Sequence, residues 1–162
     1  MRKSMNDAAD RKELPQSLPC LLLPLQKGGL LLPNASVPEI ILARQLSSTL
    51  SSTFILGMLP WRNVQLPIIS FEGLCDGQIP NNLALRRVAI IKGLQNPERL
   101  PFYGIVVSAI PQVLHLSADD VKGIEGEERV GCRQHVSIAG RAMMLPDCDQ
   151  IEARILNDLH PE

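Results

Sequence analysis

Three groupings in the sequence have residue types and spacings that could do chemistry. Cys132-x-x-His135 could form half of a metal site or set a thiolate beside a base. A zinc ion would need further ligands, and only Cys148 or the distant Cys75 could add them. With no C-x-x-C pair anywhere, Cys20, Cys75, Cys132 and Cys148 read as small buried hydrophobes. His115, inside Val113-Leu114-His115-Leu116, reads as a strand residue facing polar surroundings. The third grouping is acidic: Asp119 with Asp120, and Glu125 with Glu127 and Glu128. Clustered loop carboxylates without an apolar pocket around them are expected to face water, and they would repel a phosphate from the nearby Gly123, Gly126 and Gly131. The stretch from Asp119 to Glu128 is expected to be a solvated, mobile loop. Hydrolase G-x-S-x-G, phosphate-cradling G-x-x-x-x-G-K-S/T and dinucleotide G-x-G-x-x-G patterns are absent. No catalytic residue, metal or cofactor is expected.

The composition narrows the classes further. In 162 residues, 45% are hydrophobic, which suits one packed domain or two very small ones sharing a core. Sixteen Lys and Arg against 17 Asp and Glu leave no cationic excess to release counterions from phosphates, and five aromatic residues give few stacking platforms, so nucleic acid is not an expected partner. The start mixes Arg2, Lys3, Arg11 and Lys12 with Asp7, Asp10 and Glu13, and Pro15, Pro19 and Pro24 break the apolar stretch behind it, unlike a signal peptide. The longest uncharged stretch, Gln45 to Trp61, holds six Ser and Thr residues and is unlike a bilayer span. A soluble cytoplasmic protein without membrane insertion is expected.

The elements that must position any functional residue are mostly strands. Thirteen prolines and eleven glycines bound short apolar runs at Cys20–Leu25, Leu30–Asn34, Gln65–Phe71, Arg86–Lys92, Gly104–Ser108, Val113–His115, Val136–Ala139 and Ala142–Leu145. Lys27-Gly28-Gly29 predicts a hairpin turn between the first two. A short helix is expected over Glu39 to Leu46. A longer one is expected after Asp147 or Asp149, burying Ile151, Ile155, Leu156 and Leu159 with Glu152, Arg154 and Asp158 outside.

An internal echo organises these elements. Ala35-Ser36-Val37-Pro38-Glu39-Ile40-Ile41 aligns with Ser108-Ala109-Ile110-Pro111-Gln112-Val113-Leu114, an offset of 73 residues (Glu39 to Gln112). Arg62-Asn63-Val64-Gln65-Leu66-Pro67 aligns with Arg141-Ala142-Met143-Met144-Leu145-Pro146, an offset of 79 (Arg62 to Arg141). Two similar small β-units are expected. Each is too small for a generous core of its own, and packing one on the other hides surface that neither could cover alone.

Leu30-Leu31-Leu32-Pro33-Asn34-Ala35-Ser36-Val37-Pro38-Glu39-Ile40, followed by Ile55-Leu56-Gly57-Met58-Leu59-Pro60-Trp61-Arg62-Asn63-Val64-Gln65-Leu66-Pro67-Ile68-Ile69, resembles the CheW family of chemotaxis coupling proteins. Gly104 to Leu114 resembles that family's later strand and V-x-E-V segment, and Ser137 to Leu145 its last strands. The resemblance implies a mainly β fold: two intertwined five-stranded SH3-like barrels over residues 18–160 with a C-terminal helix, behind a flexible segment 1–17. It also implies a non-enzymatic scaffold that joins a methyl-accepting chemoreceptor's cytoplasmic tip to the regulatory domain of a chemotaxis histidine kinase.

Carried over by position, the resemblance places Val37 and Glu39 in the V-x-E segment, Gly57 before the turn, and Arg62 at the arginine of R-G; with Trp61 these form the expected partner-binding set. Glu39 could equally be a solvated first-turn carboxylate and Val37 plain core. Arg62 could simply pack its stem over the Trp61 indole, while an exposed Arg–aromatic pair at a turn is also typical interface chemistry; the resemblance favours a partner role for Arg62. Asn63 stands where the family usually has Gly, Ser70 where it commonly has Asp, and Gln112 where a second Glu would echo Glu39. These departures suit a divergent member, such as an accessory coupler of a twitching-motility pathway. The competing readings are a metal- or thiol-dependent enzyme using Cys132, His135 and Cys148, and a ligand-binding β-barrel.

Overall fold

Leu21, Leu22 and Leu23 are all buried, and so are Val88 to Ile91 and Tyr103 to Val107. Side chains alternate across a strand, so a run buried at every position needs a core on both faces. The computed structural model, which describes residues 16–47 and 52–160, provides those cores with two curled sheets packed against each other. The strands are β1 (Leu18–Pro24), β2 (Gly29–Pro33), β3 (Glu39–Leu42), β4 (Ile55–Trp61), β5 (Val64–Ile69), β6 (Arg87–Lys92), β7 (Phe102–Val107), β8 (Gln112–Leu116), β9 (Val121–Ile124), β10 (Cys132–Ile138) and β11 (Arg141–Pro146); the helices are α1 (Phe71–Asp76) and α2 (Cys148–Leu159). Of the segment expected to be flexible, residues 1–15 lie outside the described residues.

One sheet runs β3-β6-β7-β5-β4 and the other β8-β1-β2-β11-β10-β9. The first hairpin, β1–β2, thus belongs to the sheet made by the last strands, and β6–β7 belongs to the sheet made by β3, β4 and β5. This exchange is the intertwining that the resemblance implies. The first barrel, of five strands, closes where Ser47, beyond β3, exchanges both backbone hydrogen bonds with Met58 of β4, each 2.9 Å. In the second barrel β8 bends and returns as β9 against β10. The bend is fixed by Asp120, whose carboxylate accepts from the Ser117 amide (2.8 Å) and hydroxyl (3.0 Å).

Alternation sorts the apolar residues. Leu21, Leu23, Leu30, Leu32, Ala89, Ile91, Tyr103 and Ile105 point into a layer shared by the two barrels. Leu66, Ile68, Val88 and Ile90 fill the first barrel, and Cys20, Leu22, Leu31, Val136 and Met143 the second. Helix α2 lays Ile151 and Ile155, both fully buried, on the shared layer.

The strand registers confirm the first echo: Glu39 pairs with Ile90 as Gln112 pairs with Leu22. The second echo is out of step by two residues. The hairpin turns Arg62-Asn63 and Ala139-Gly140, all four residues with positive φ, are the equivalent points, at an offset of 77 (Arg62 to Ala139). Counting from them, Ser70 corresponds to Asp147, and both cap the helix that follows: Ser70 Oγ accepts from the Gly73 amide (2.9 Å) and Asp147 Oδ1 from the Gln150 amide (3.1 Å).

Other expectations need correction. Glu39 to Leu42 is a strand, not the start of a helix, because the edge of β6 is open to it and Ile41 alternates inward while Ile40 and Leu42 face out. Ile55–Trp61, absent from the expected strands, is one as well; it lies at a sheet edge, where Pro60 and a bulge between Ile55 and Gly57 are tolerated. Phe71 begins α1 rather than ending β5, since Ser70 caps the helix and Gly77 closes it in the left-handed conformation. Residues 119–128 are not simply a loop: Ala118–Asp120 makes a 3-10 turn and Val121–Ile124 a strand.

Glu152, expected outside, is 1% exposed. Its Oε1 accepts from the amides of Leu94 (2.7 Å) and Gln95 (3.0 Å), pinning α2 to the β6–β7 loop. A buried carboxylate accepting two amides is costly to remove because both donors are stranded. Glu152→Ala is expected to lower the unfolding free energy by about 2–4 kcal/mol in urea titration, with Glu152→Gln, which keeps an acceptor oxygen, losing less.

Candidate functional site

The β4–β5 hairpin turns on two residues, Arg62 (φ 47°) and Asn63 (φ 64°), between the paired Trp61 and Val64. Both central residues need positive φ in such a turn, and asparagine tolerates it as the family's glycine would. The turn lifts Arg62 to the surface while Trp61, one residue earlier, points into the first barrel. Trp61 is only 8% exposed, so the expected exposed Arg–aromatic pair is half wrong: the arginine is outside and the indole inside. The indole meets Phe102 edge-on, ring centroids 4.9 Å apart at 67°.

Strand β3 supplies the third member. Glu39 Oε2 accepts a hydrogen bond from Trp61 Nε1–H and lies 3.4 Å from the Arg62 guanidinium. The Arg62 guanidinium carbon sits 4.5 Å from the centre of the Trp61 ring. Glu39 and Arg62 keep 39% and 66% of their side-chain surface exposed, so their attraction is screened and worth little alone, about 0–1 kcal/mol. Its effect is geometric: one carboxylate orients both the indole and the guanidinium and leaves Arg62 on the surface in a restricted pose. Val64, directly after the turn, is an exposed apolar side chain, whereas the exposed Ile40 and Leu42 lie on the face of β3 opposite Glu39.

Glu39, Trp61 and Arg62 therefore come together; Val37 and Gly57 do not join them. Val37 is half-buried against the layer between the barrels. Gly57 is buried where β4 meets the strand beyond β3, and a Cβ there would lie 2.0 Å from the Ser47 carbonyl oxygen. Its role is to let the first barrel close.

The Cys132, His135 and Cys148 grouping of the competing reading is not assembled either. Cys132 and Cys148 pack against the shared apolar layer, while the His135 ring donates to the Glu127 carbonyl (2.7 Å). Burial pushes the Cys75 thiol up to about 11 and raises those of Cys20, Cys132 and Cys148, which disfavours the free thiolate a nucleophile requires. Among the described residues no three His, Cys, Asp or Glu side chains are placed to share a metal ion.

The family profile of the CheW-like domain matches residues 19–155. The chain belongs to the CheW-like domain family. Among solved structures, the scaffolding protein TtCheW from Thermoanaerobacter tengcongensis superposes with a TM-score of 0.65 at 13% sequence identity, over 83% of this chain and 87% of TtCheW. At that identity the likeness speaks for the fold. No curated protein matches by sequence. In this CheW-like domain Glu39 and Arg62 meet at Trp61, while Gly57 stands apart from them, where β4 passes Ser47.

The Glu39–Trp61 hydrogen bond joins residues 22 positions apart and had no local signal; only the closing of the barrel end reveals it. Since Trp61 is the chain's single tryptophan, its fluorescence reports the contact. Glu39→Ala is expected to shift that emission to the red and cost about 1–2 kcal/mol of stability, with Glu39→Gln intermediate. An unchanged emission maximum would show that the carboxylate does not hold the indole.

Proposed function

We propose that this CheW-like protein is a chemotaxis scaffold that joins the cytoplasmic tip of a methyl-accepting chemoreceptor to the regulatory domain of a chemotaxis histidine kinase. It acts by binding alone, through the surface built from Glu39, Trp61 and Arg62. Family membership supports the class of function. The observation that carries the choice of surface is Arg62, exposed on a two-residue turn yet held by the indole beneath it and the carboxylate beside it. A side chain restrained before binding loses less conformational freedom on docking, and arginine offers five donors to a partner's carboxylates and carbonyls. The exposed Val64, directly after the turn, adds apolar area beside it.

One such patch gives a modest, reversible contact. Strength in a signalling array then comes from many linked contacts rather than from one tight site. No helix among the described residues is long and apolar enough to cross a membrane, so membrane attachment in this reading comes through the receptor.

The reading is tested by pull-down and titration against a chemotaxis kinase's regulatory domain and a receptor cytoplasmic tip. Wild type is expected to bind at least one, and Arg62→Glu to weaken that binding about tenfold or more, ~1.4 kcal/mol, with the circular dichroism spectrum unchanged. Failure of the wild type to bind either partner would remove the coupling role.

A further inference from the structure

One strand edge of the molecule is both unpaired and unguarded. The Ala43 amide donates to the Arg86 carbonyl (3.1 Å), and these two residues continue the register of β3 on β6. Antiparallel pairs alternate between bonded and unbonded, so Glu39 and Ile41 also bond to β6, while the amides and carbonyls of Ile40 and Leu42 point the other way. Strand β3 is the last of its sheet on that side. Among the described residues nothing bonds to the backbone of Ile40 or Leu42, and the barrel closes only further on, at Ser47 and Met58. The side chains at these two positions are aliphatic and 38% and 39% exposed.

The other three sheet ends carry features that discourage pairing with another chain. Strand β4 has a bulge and Pro60, β8 has His115 two residues beyond its exposed Val113, and β9 has Lys122. Free backbone groups flanked by aliphatic side chains, with no charge at the outward positions, make β3 a template for one more strand.

We propose that β3 pairs antiparallel with β3 of a second copy of this chain, about a two-fold axis. The chain's own residues select the register. With Ile40 opposite Ile40 of the second copy, Leu42 falls opposite Pro38, which has no N–H to give. With Leu42 opposite Leu42, Ile40 falls opposite Arg44, which lies in the turn beyond the strand. Only Ile40 opposite Leu42 keeps both bonded pairs inside the strands, and the symmetry then sets Leu42 opposite Ile40 in the second pair. That register also joins four exposed aliphatic side chains into one cluster on the outer face. Like charges stay apart, because both β3 strands lie between Arg87 and its counterpart. Two strands of 4 residues cover much less than the about 800 Å² per partner of a stable complex, so the dimer is weak and reversible. The aliphatic cluster lies on the face of β3 opposite Glu39 and does not depend on the kinase and receptor reading.

Sedimentation equilibrium of the full chain is expected to show a monomer–dimer equilibrium with a dissociation constant of about 0.1–1 mM. Ile40→Lys and Leu42→Glu, each at an exposed position, are expected to weaken self-association about tenfold or more, with circular dichroism and Trp61 emission unchanged. Mixing the two variants is expected to restore association: the register sets the new lysine of one against the new glutamate of the other and leaves Leu42 against Ile40 in the second pair. Val113→Lys on β8 should associate as wild type does. A chain that stays monomeric up to about 1 mM, or variants on β3 that associate as tightly as wild type, would overturn the proposal. Loss of association in Val113→Lys alone would place the contact on β8 and equally overturn it, and a mixture that associates no better than its separate parts would overturn the register.

Discussion

The central strands of this protein are buried on both faces, and most of its architecture follows from that. In β1, Leu21 and Leu23 face the layer between the barrels while Cys20 and Leu22 face the inside of the second. In β6, Ala89 and Ile91 face the shared layer while Val88 and Ile90 face the inside of the first. Each fully buried aliphatic side chain is worth roughly 1.5–3 kcal/mol, and here alternate residues of one strand contribute to different cores. Neither barrel can be separated without exposing a face of its own hairpin, and because β1–β2 and β6–β7 are exchanged between the halves, separation would also break backbone pairing. With the interior committed to packing, and with buried thiols poorly suited to ionise, the outer barrel ends are the surfaces left free to differ.

Those ends have diverged on a conserved frame within the chain. The helix caps Ser70 and Asp147 are different residues doing one job, as are the turns at Arg62-Asn63 and Ala139-Gly140. Where the frame does not dictate the residue, the halves part: Glu39 against Gln112, Trp61 against Ile138, Arg62 against Ala139, Phe102 against Gly29. The first barrel thereby gains an oriented charge over an aromatic end, whereas in the second Leu22 and Met143 close in on Gly29.

Much of this was legible in the residues. Runs such as Cys20 to Leu25 and Gly104 to Ser108, bracketed by Pro and Gly, gave strands within a residue or two, and the echo around Val37-Pro38-Glu39 proved to be in register. Legibility failed where long-range pairing overrode local preference. Glu39-Ile40-Ile41-Leu42 has too few residues to declare a period and becomes a strand only because β6 accepts it. Gly57 and Pro60 look like breakers until the bulged edge strand explains them. The acidic character of residues 119–128 masked Val121 to Ile124, and the Ser117–Asp120 box that starts that strand went unread. Arg62 was legible through the family pattern, whereas the burial of Trp61 and the carboxylate that ties it to Arg62 depend on a contact across the closed barrel end, which no local window contains.

The central claim is that the oriented end of the first barrel, rather than an interior cleft or the equivalent end of the second barrel, meets the kinase. Hydrogen–deuterium exchange of the full chain with and without a chemotaxis kinase's regulatory domain tests it most directly. The account predicts slowed exchange at residues 37–42 and 61–64, with 110–115 and 138–141 unchanged. Slowing confined to the second barrel, or centred on Cys132 and His135, would contradict it.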